Sequence, residues 1–459
     1  MPPDETTPQA LSDEAIGRCY QGDFSPEEFA ARRERIFDAI GPGACAAVQG
    51  ASWPRGFAAF RQTNQFYYCC GFEVPGALLL LDGSTRRTTL YLPHRPPGRR
   101  AEGDELAAED AEGLCRLTGL DGVFGPDAFP EHLREARVLY TPHRPAEGVC
   151  GSRDELTRCD RLLADDPWDG RLPREQRFIG LLRARFPRAE VRDLSGILDA
   201  MRAVKSPREI DLCRRAGHLS AQAVADAMRA TRAGLFEYQL GALALSVYLD
   251  NGARGEGYRP IIAGGENIWH AHYFRNNCPL TDGDLVLMDA APDYHYYTSD
   301  IGRMWPVNGS YSPEQRELYG FMVTYHKTLL SLIRPGATAD EIHAAAAAEM
   351  AKVVEATTFS KDIYEAGARR TLEFKGHLSH PVGMAVHDVG GYGDKPLAPG
   401  VVFTVDPQMW IPEERLYVRV EDTVVVTDEG IEVFTAAAPL ELDDVEATMR
   451  QGRESPACP

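Results

Sequence analysis

Ten cysteines run through the chain without a single CxxC pair, and only Cys69 and Cys70 are adjacent. That scatter argues against a zinc ribbon or a dithiol redox centre and reads as reduced structural thiols. No stretch reaches the roughly 18 apolar residues of a membrane span. The opening MPPDETTPQALSDEA lacks the basic start and apolar core of a secretory leader, so the expected compartment is the cytoplasm, with no membrane partner. Positive charge is scarce as well, 49 Lys and Arg against 68 Asp and Glu, for a formal charge of −19. So acidic a chain repels phosphate backbones, which argues against nucleic acid as a partner, whereas carboxylates that converge can hold divalent cations. No internal repeat is evident.

At 459 residues the chain exceeds the roughly 250–300 residues at which a single core stops growing, so two domains are expected. Residues 1–24 form a polar, proline-rich segment. Ser25-Pro26-Glu27-Glu28 is a capping-box pattern with proline at the first helical position; it opens a mixed α/β domain over residues 25–200. There FYYCCGF and ALLLL read as buried strands, with Asp82-Gly83 turning between ALLLL and TTLYL. Residues 101–174, rich in Gly, Pro and charge, read as surface loops and short elements. A second capping box, Ser206-Pro207-Arg208-Glu209, opens a long helix and a second domain over residues 201–445, followed by a tail over 446–459. A further helix starts at Ser312, carries Leu318, Met322, Tyr325, Leu329 and Leu332 on one face, and stops at Pro335-Gly336. Strands flank it: LVLMDAA and YYTSDIGRMW before, VVFTVDP and LYVRVEDTVVV after. The fold class is α+β, helices packed on a sheet.

Eight of the twelve histidines lie between His270 and His387, and the same stretch sets acids within apolar strands. Asp289 follows LVLM, Asp300 comes on the next strand after a turn at Pro292-Asp293, Asp406 follows VVFTV, and alternation in LYVRVE puts Tyr417, Arg419 and Glu421 on one face. A strand interior is a costly place for a carboxylate unless it is paired, hydrogen-bonded or on a metal. Four on one sheet face would repel one another unless a cation neutralised them. Each acid alone reads as a strand end facing water; the four together with His380 read as a metal site. Oxygen ligands with one or two imidazoles suit Mn²⁺, with Co²⁺, Fe²⁺ or Zn²⁺ as alternatives. His326 and His343 fall on helices as surface or packing residues, and His270 and His295 fall in loops.

The series Asp289, Asp300 eleven residues on, His380 within HLSHPVGMAVHDVG, the TVDP segment and the RVED segment resembles the aminopeptidase P and prolidase family of dinuclear metallopeptidases. The segment from Phe60-Arg61-Gln62 to Phe72-Glu73-Val74-Pro75 is similar to that family's N-terminal domain. The resemblance implies a creatinase/aminopeptidase P-like α/β domain followed by a pita-bread domain, and two divalent ions. Asp289 would be a ligand of one ion, Asp300 and Glu421 would bridge, and His380 and Asp406 would hold the other. His272 and His387 would contact the reacting carbonyl and the substrate, and Arg419 would orient the bridging carboxylate. It implies hydrolysis of peptides with proline at the second position, and a homodimer or homotetramer.

Three features depart from the family pattern: Asp406 stands where glutamate is usual, Gln408 where glycine is usual, and Gly376-His377 reverses a frequent His-Gly pair. Removing one methylene at Asp406 withdraws the carboxylate by about an ångström, a misplacement that costs roughly a hundredfold in rate when nothing compensates. Xaa-Pro aminopeptidase is the leading reading and Xaa-Pro dipeptidase the alternative. A metal-free creatinase-like C–N hydrolase and a non-enzymatic pita-bread binding protein are rivals of other classes.

Overall fold

Five of the described helices open on a hydroxyl side chain that accepts a backbone N–H three residues on: Ser12 before Asp13–Cys19, Ser25 before Pro26–Ile40, Ser206 before Pro207–Ala230, Ser312 before Pro313–Leu332 and Thr338 before Ala339–Ala356. In the last three the third helical residue, Glu209, Gln315 or Glu341, reaches back to the cap N–H, which satisfies two otherwise orphaned donors at once. The computed structural model describes residues 10–96, 106–393 and 395–454; residues 1–9, 97–105, 394 and 455–459 lie outside the described residues. The chain divides into two units, Met1–Met201 and Arg202–Pro459.

In the first unit β1 (Ala44–Gln49), β2 (Leu78–Asp82), β3 (Arg87–Tyr91), β4 (Gly122–Phe124), β5 (Val138–Thr141) and β6 (Glu190–Asp193) form one sheet in the order β4-β3-β2-β1-β5-β6. The expected turn between β2 and β3 is present. FYYCCGF is not a strand: Asn64–Cys70 is a helix with all seven residues buried, ended by Gly71 in left-handed backbone. A helix buried on every side has no polar stripe, so its sequence cannot be told from that of a buried strand. Its C-terminal carbonyls are capped by arginines, Arg32 donating to Tyr68 O (3.2 Å) and Arg33 to Cys69 O (3.4 Å). Residues 101–174, expected as loops and short elements, hold β4, β5 and helices Ala111–Thr118 and Arg153–Asp165 among the described residues. The polar segment 1–24 contains a helix, Asp13–Cys19, capped by Ser12.

The second unit is built on β7 (Gly255–Glu256), β8 (Ile261–Gly264), β9 (Leu285–Asp289), β10 (Pro292–Asp293), β11 (Ile301–Pro306), β12 (Val402–Val405), β13 (Gln408–Ile411), β14 (Leu416–Arg419), β15 (Glu421–Val426) and β16 (Ile431–Val433). The main sheet runs β12-β15-β11-β9-β8 with β16 added to β15; β7 with β10 and β13 with β14 make two small ribbons. Helices Pro207–Ala230, Pro313–Leu332 and Ala339–Ala356 bury Leu219, Met228, Met322, Leu329 and Met350 in one core with the sheet residues Leu287, Trp305 and Phe403. Helix Leu442–Glu454 covers residues expected as a tail; Val445 and Met449 bury in the same core. Among the described residues no helix is long and apolar enough to cross a membrane.

Two features of the sheet differ from the sequence reading. LYVRVEDTVVV is broken at Val420 into β14, which pairs only with β13, and β15, which lies inside the main sheet. The turn before Asp300 falls at His295 and Tyr296 rather than at Pro292-Asp293, which form β10. These two consecutive residues have φ of 53° and 74°, while Tyr294 and Tyr297 exchange backbone hydrogen bonds of 2.8 and 3.0 Å around them and Asp293 accepts the Tyr296 N–H at 3.0 Å.

On the face of β15 opposite Glu421, Asp422 is fully buried between Arg303 (2.7 Å), His326 (2.8 Å) and Thr435 (2.5 Å). Arg303 also donates to Glu421 O at 2.6 Å. Burial would raise the Asp422 carboxyl's pKa, but the Arg303 charge and His326 outweigh it and hold the pKa below the usual carboxylate range. Asp422→Ala strands Arg303 as a buried unpaired charge and is expected to lower unfolding free energy by about 3–5 kcal/mol, read from urea denaturation.

Candidate metal centre

Register places the acids. Gly302 of β11 lies opposite Asp289 on β9 and opposite Glu421 on β15, so the two carboxylates flank a residue without a side chain. A Cβ at Gly302 would come within 3.1 Å of Glu421 Cβ and 3.3 Å of both Arg419 Nε and Glu421 Oε2. The bare position leaves the space the guanidinium needs. Asp300, two residues earlier on the same face, is locked to β15 by Thr423, whose hydroxyl accepts the Asp300 N–H and donates to the Asp300 carbonyl, both at 2.8 Å.

His380 and Asp406 arrive together because the segment around His380 pairs along the edge strand β12: Val382 N donates to Val402 O, Thr404 N to His380 O and Asp406 N to Leu378 O, at 3.0, 3.0 and 3.2 Å. His380 Nε2 then faces Asp300 Oδ2 at 3.4 Å and Glu421 Oε1 at 3.7 Å. The imidazole of His387 lies 4.2 Å from that of His380 between centroids, and that of His272, stacked on Phe274, lies 6.2 Å from that of His387 and is tilted against it. Asp388, next to His387, is buried against Arg202 (2.6 Å) and Lys205 (3.3 Å).

Arg419 is the hub. Its Nε donates to Asp406 Oδ1 (3.0 Å), one terminal nitrogen to Asp289 Oδ2 (2.8 Å) and the other to Glu421 Oε2. Burial works against the charged guanidinium, but Asp406, Glu421, Tyr417 and Asp289 outweigh it and hold it protonated. The structure therefore brings all five expected ligands and Arg419 into one cluster. Asp300, His380 and Glu421 each turn one ligand atom to a common point, these atoms lying within 4.8 Å of one another. Asp289 and Asp406 join through Arg419.

One contributor had no signal in the sequence, and another stood out there only as a departure from the family pattern. Tyr258, a buried residue 31 positions before Asp289, has its hydroxyl 2.5 Å from both Asp289 Oδ1 and Asp300 Oδ1. Gln408 donates to Asp406 Oδ2 at 2.6 Å. The carboxyls respond unequally. Burial and the neighbouring Asp300 charge raise Asp289 well above its usual range. Burial also acts to raise Asp300, but the His380 hydrogen bond and charge, with Arg419 and Tyr258, outweigh it and hold it at about 2. Glu421 is raised by burial despite Arg419, and its Oε1, buried, accepts no hydrogen bond among the described residues. A buried acceptor without a donor, beside an imidazole nitrogen and a second carboxylate oxygen, is a donor set that fits a divalent cation. Beside Asp406 a cavity of about 390 Å³ opens, lined by Phe374, His377, Gln408 and Trp410 among others. His326 and His343 are buried packing residues that hydrogen-bond Asp422 and the His377 carbonyl.

Comparison with known proteins agrees with this geometry. Residues 211–428 match metallopeptidase family M24 and residues 29–139 match the aminopeptidase P N-terminal domain. The Xaa-Pro aminopeptidase of Escherichia coli (strain K12) is 32% identical over 94% of this chain and 99% of its own length. That of Haemophilus influenzae is 30% identical over the same shares. The solved structure of aminopeptidase P from E. coli with the inhibitor Pro-Leu aligns with a TM-score of 0.76 at 30% identity, covering 95% of this chain and all of that one.

Tyr258→Phe removes the donor shared by Asp289 and Asp300. Metal-free protein is expected to lose about 1.5–3 kcal/mol in urea unfolding, as for a hydrogen bond to a charged group, and the deficit should shrink when Mn²⁺ is added.

Proposed function

From its place in the aminopeptidase P family of M24 metallopeptidases, to which this chain belongs, we propose that it is a metal-dependent Xaa-Pro aminopeptidase that releases the residue before an N-terminal proline. The observation that carries this is the clustering of five side chains, Asp289, Asp406 and Glu421 on the buried Arg419 and Asp300 and His380 against Glu421, with His272 and His387 beside them. Asp289 would hold one ion, Asp300 and Glu421 would serve both, and His380 with Asp406 would hold the other, Mn²⁺ being the ion such oxygen-rich ligands suit. Bound divalent ions supply acidity to a water and polarise the scissile carbonyl.

The chain's own groups do the rest. Asp406 accepts the proton of the attacking water, with Arg419 and Gln408 fixing the orientation of its carboxylate. His272 and His387 donate hydrogen bonds where negative charge develops on the carbonyl oxygen, the kind of fixed donor that favours the transition state over the substrate. The Arg202 and Lys205 pairing with Asp388 holds the His387 segment in place. The buried thiols Cys45 and Cys213 are in keeping with a reducing, cytoplasmic setting.

Xaa-Pro dipeptidase is the second reading. The hairpin from Asp406 to Arg419 turns within residues 412–415, a short connection that leaves one wall of the cleft low and favours longer peptides. Hydrolysis of an Xaa-Pro-Xaa tripeptide and an Xaa-Pro dipeptide is the test. The tripeptide should be cut before proline faster than the dipeptide, activity should vanish with chelator and return with Mn²⁺, and Asp406→Asn should lower kcat by about 10²–10⁴-fold as for loss of a general base. Failure to cut either peptide after Mn²⁺ reloading would overturn the proposal.

A further inference from the structure

Between β8 and β9 the chain makes one short helical turn, Gly265–Trp269, and is otherwise irregular; this loop carries His272, exposed on its surface. Its fixed points meet on one side chain. Glu237, the first residue of helix Glu237–Asp250, is fully buried. Its Oε1 accepts the Gly264 N–H at 2.8 Å and the Asn267 amide at 2.9 Å, and its Oε2 accepts the Tyr273 hydroxyl and the Cys278 N–H, both at 2.9 Å. These donors stand at the start of the loop, on its helical turn, beside His272 and toward its end, and all of them are neutral. The Glu237 N–H in turn donates to the Cys278 carbonyl at 3.0 Å, so Cys278 is held from both sides. Asn276 adds a tie to the strand, accepting the Ile262 N–H at 3.1 Å and donating to the Pro260 carbonyl at 2.8 Å.

We propose that Glu237 is a positioning residue for His272. A buried carboxyl group is costly unless its oxygens are answered, and here both are answered by the loop that bears the imidazole. Tyr273, next in the chain to His272, is buried and tied to Glu237 through its hydroxyl. That anchor fixes the backbone from which His272 projects, its ring stacked on Phe274 and 6.2 Å from that of His387. A donor aimed at developing charge helps only while it is held in place, because the gain comes from preorganisation. Glutamine has nearly the same shape but cannot do this work: whichever way its amide is turned, the NH₂ group meets a backbone N–H, that of Gly264 or that of Cys278. This inference rests on the reading of His272 as a donor to the reacting carbonyl given above.

A double-mutant cycle of Glu237→Gln with His272→Ala, read by cleavage of an Xaa-Pro-Xaa tripeptide in Mn²⁺, tests it. Glu237→Gln alone should lower kcat by roughly 10–100-fold, the cost of about an ångström of misplacement, with KM and Mn²⁺ binding by calorimetry unchanged. In the His272→Ala background the same substitution should cost nothing further, as for groups that act as a unit. Tyr273→Phe removes one donor and keeps the carboxyl group; it should give a smaller loss that also disappears without His272, and it carries the test if the glutamine variant does not fold. An equal loss with and without His272, or an unchanged kcat, would overturn the positioning role while leaving the peptidase reading intact. Native protein that cuts no such peptide after Mn²⁺ loading would overturn that reading and this inference with it.

Discussion

Like charge at close quarters is the constraint around which the second unit is arranged. Two unit charges 4 Å apart repel by about 4 kcal/mol at an effective dielectric near 20, and here four buried carboxylates gather. Arg419 supplies one positive charge to three of them and Tyr258 a neutral donor to two. The rest of the architecture keeps that arrangement flush. Gly302 yields the room the guanidinium occupies, Thr423 fixes Asp300 to β15, and on the reverse face Arg303 ties Asp422 to the backbone of Glu421. Residues on alternate sides of one strand thus carry opposite duties: Glu421 faces the centre and Asp422 anchors the strand that presents it.

The acids were legible because a carboxylate in an apolar strand breaks a local rule, and a broken rule is visible in one dimension. Asp289, Asp300, Asp406 and Glu421 stood out for that reason, and the family resemblance followed from their order. What stayed hidden breaks no rule. Tyr258 is an aromatic residue before a strand, and its role exists only because β8 and β9 bring Asp289 past it. Gly302 looks like any strand glycine until the register of three strands is known. The helix Asn64–Cys70 was misread because periodicity reports a boundary between polar and apolar surroundings, and this helix has none. The break at Val420 was missed because alternation continues through it while the pairing partner changes from β13 to β12 and β11.

The departures from the family pattern look different in three dimensions than in the sequence. Asp406, shorter than the usual glutamate, does not hang loose: it lies at the mouth of a hairpin whose first residue, Gln408, reaches back to it and whose last residue, Arg419, holds its other oxygen. Gln408 and Arg419 are cross-strand partners, so one turn of chain sets both ends of the clamp. His377, displaced by one position from the family's usual place, lines the cavity beside Asp406 with Phe374, against which its ring packs edge-on. The substitutions are neighbours in space and share one cavity.

The link between Asp289 and Asp300 makes its reversal on His295 and Tyr296, two consecutive side-chain-bearing residues in left-handed backbone. Left-handed geometry costs about 1–2 kcal/mol per residue outside glycine, a local cost that the pairing of Tyr294 with Tyr297 and the Asp293 side chain hold in place. Engineers seeking a hardier enzyme would find Asn-Gly at these positions an easy gain. The positions of the two carboxylates rest on other contacts, Asp289 on the pairing of β9 with β11 and Asp300 on Thr423. Stability at this turn can therefore be tuned without touching the contacts that space the centre.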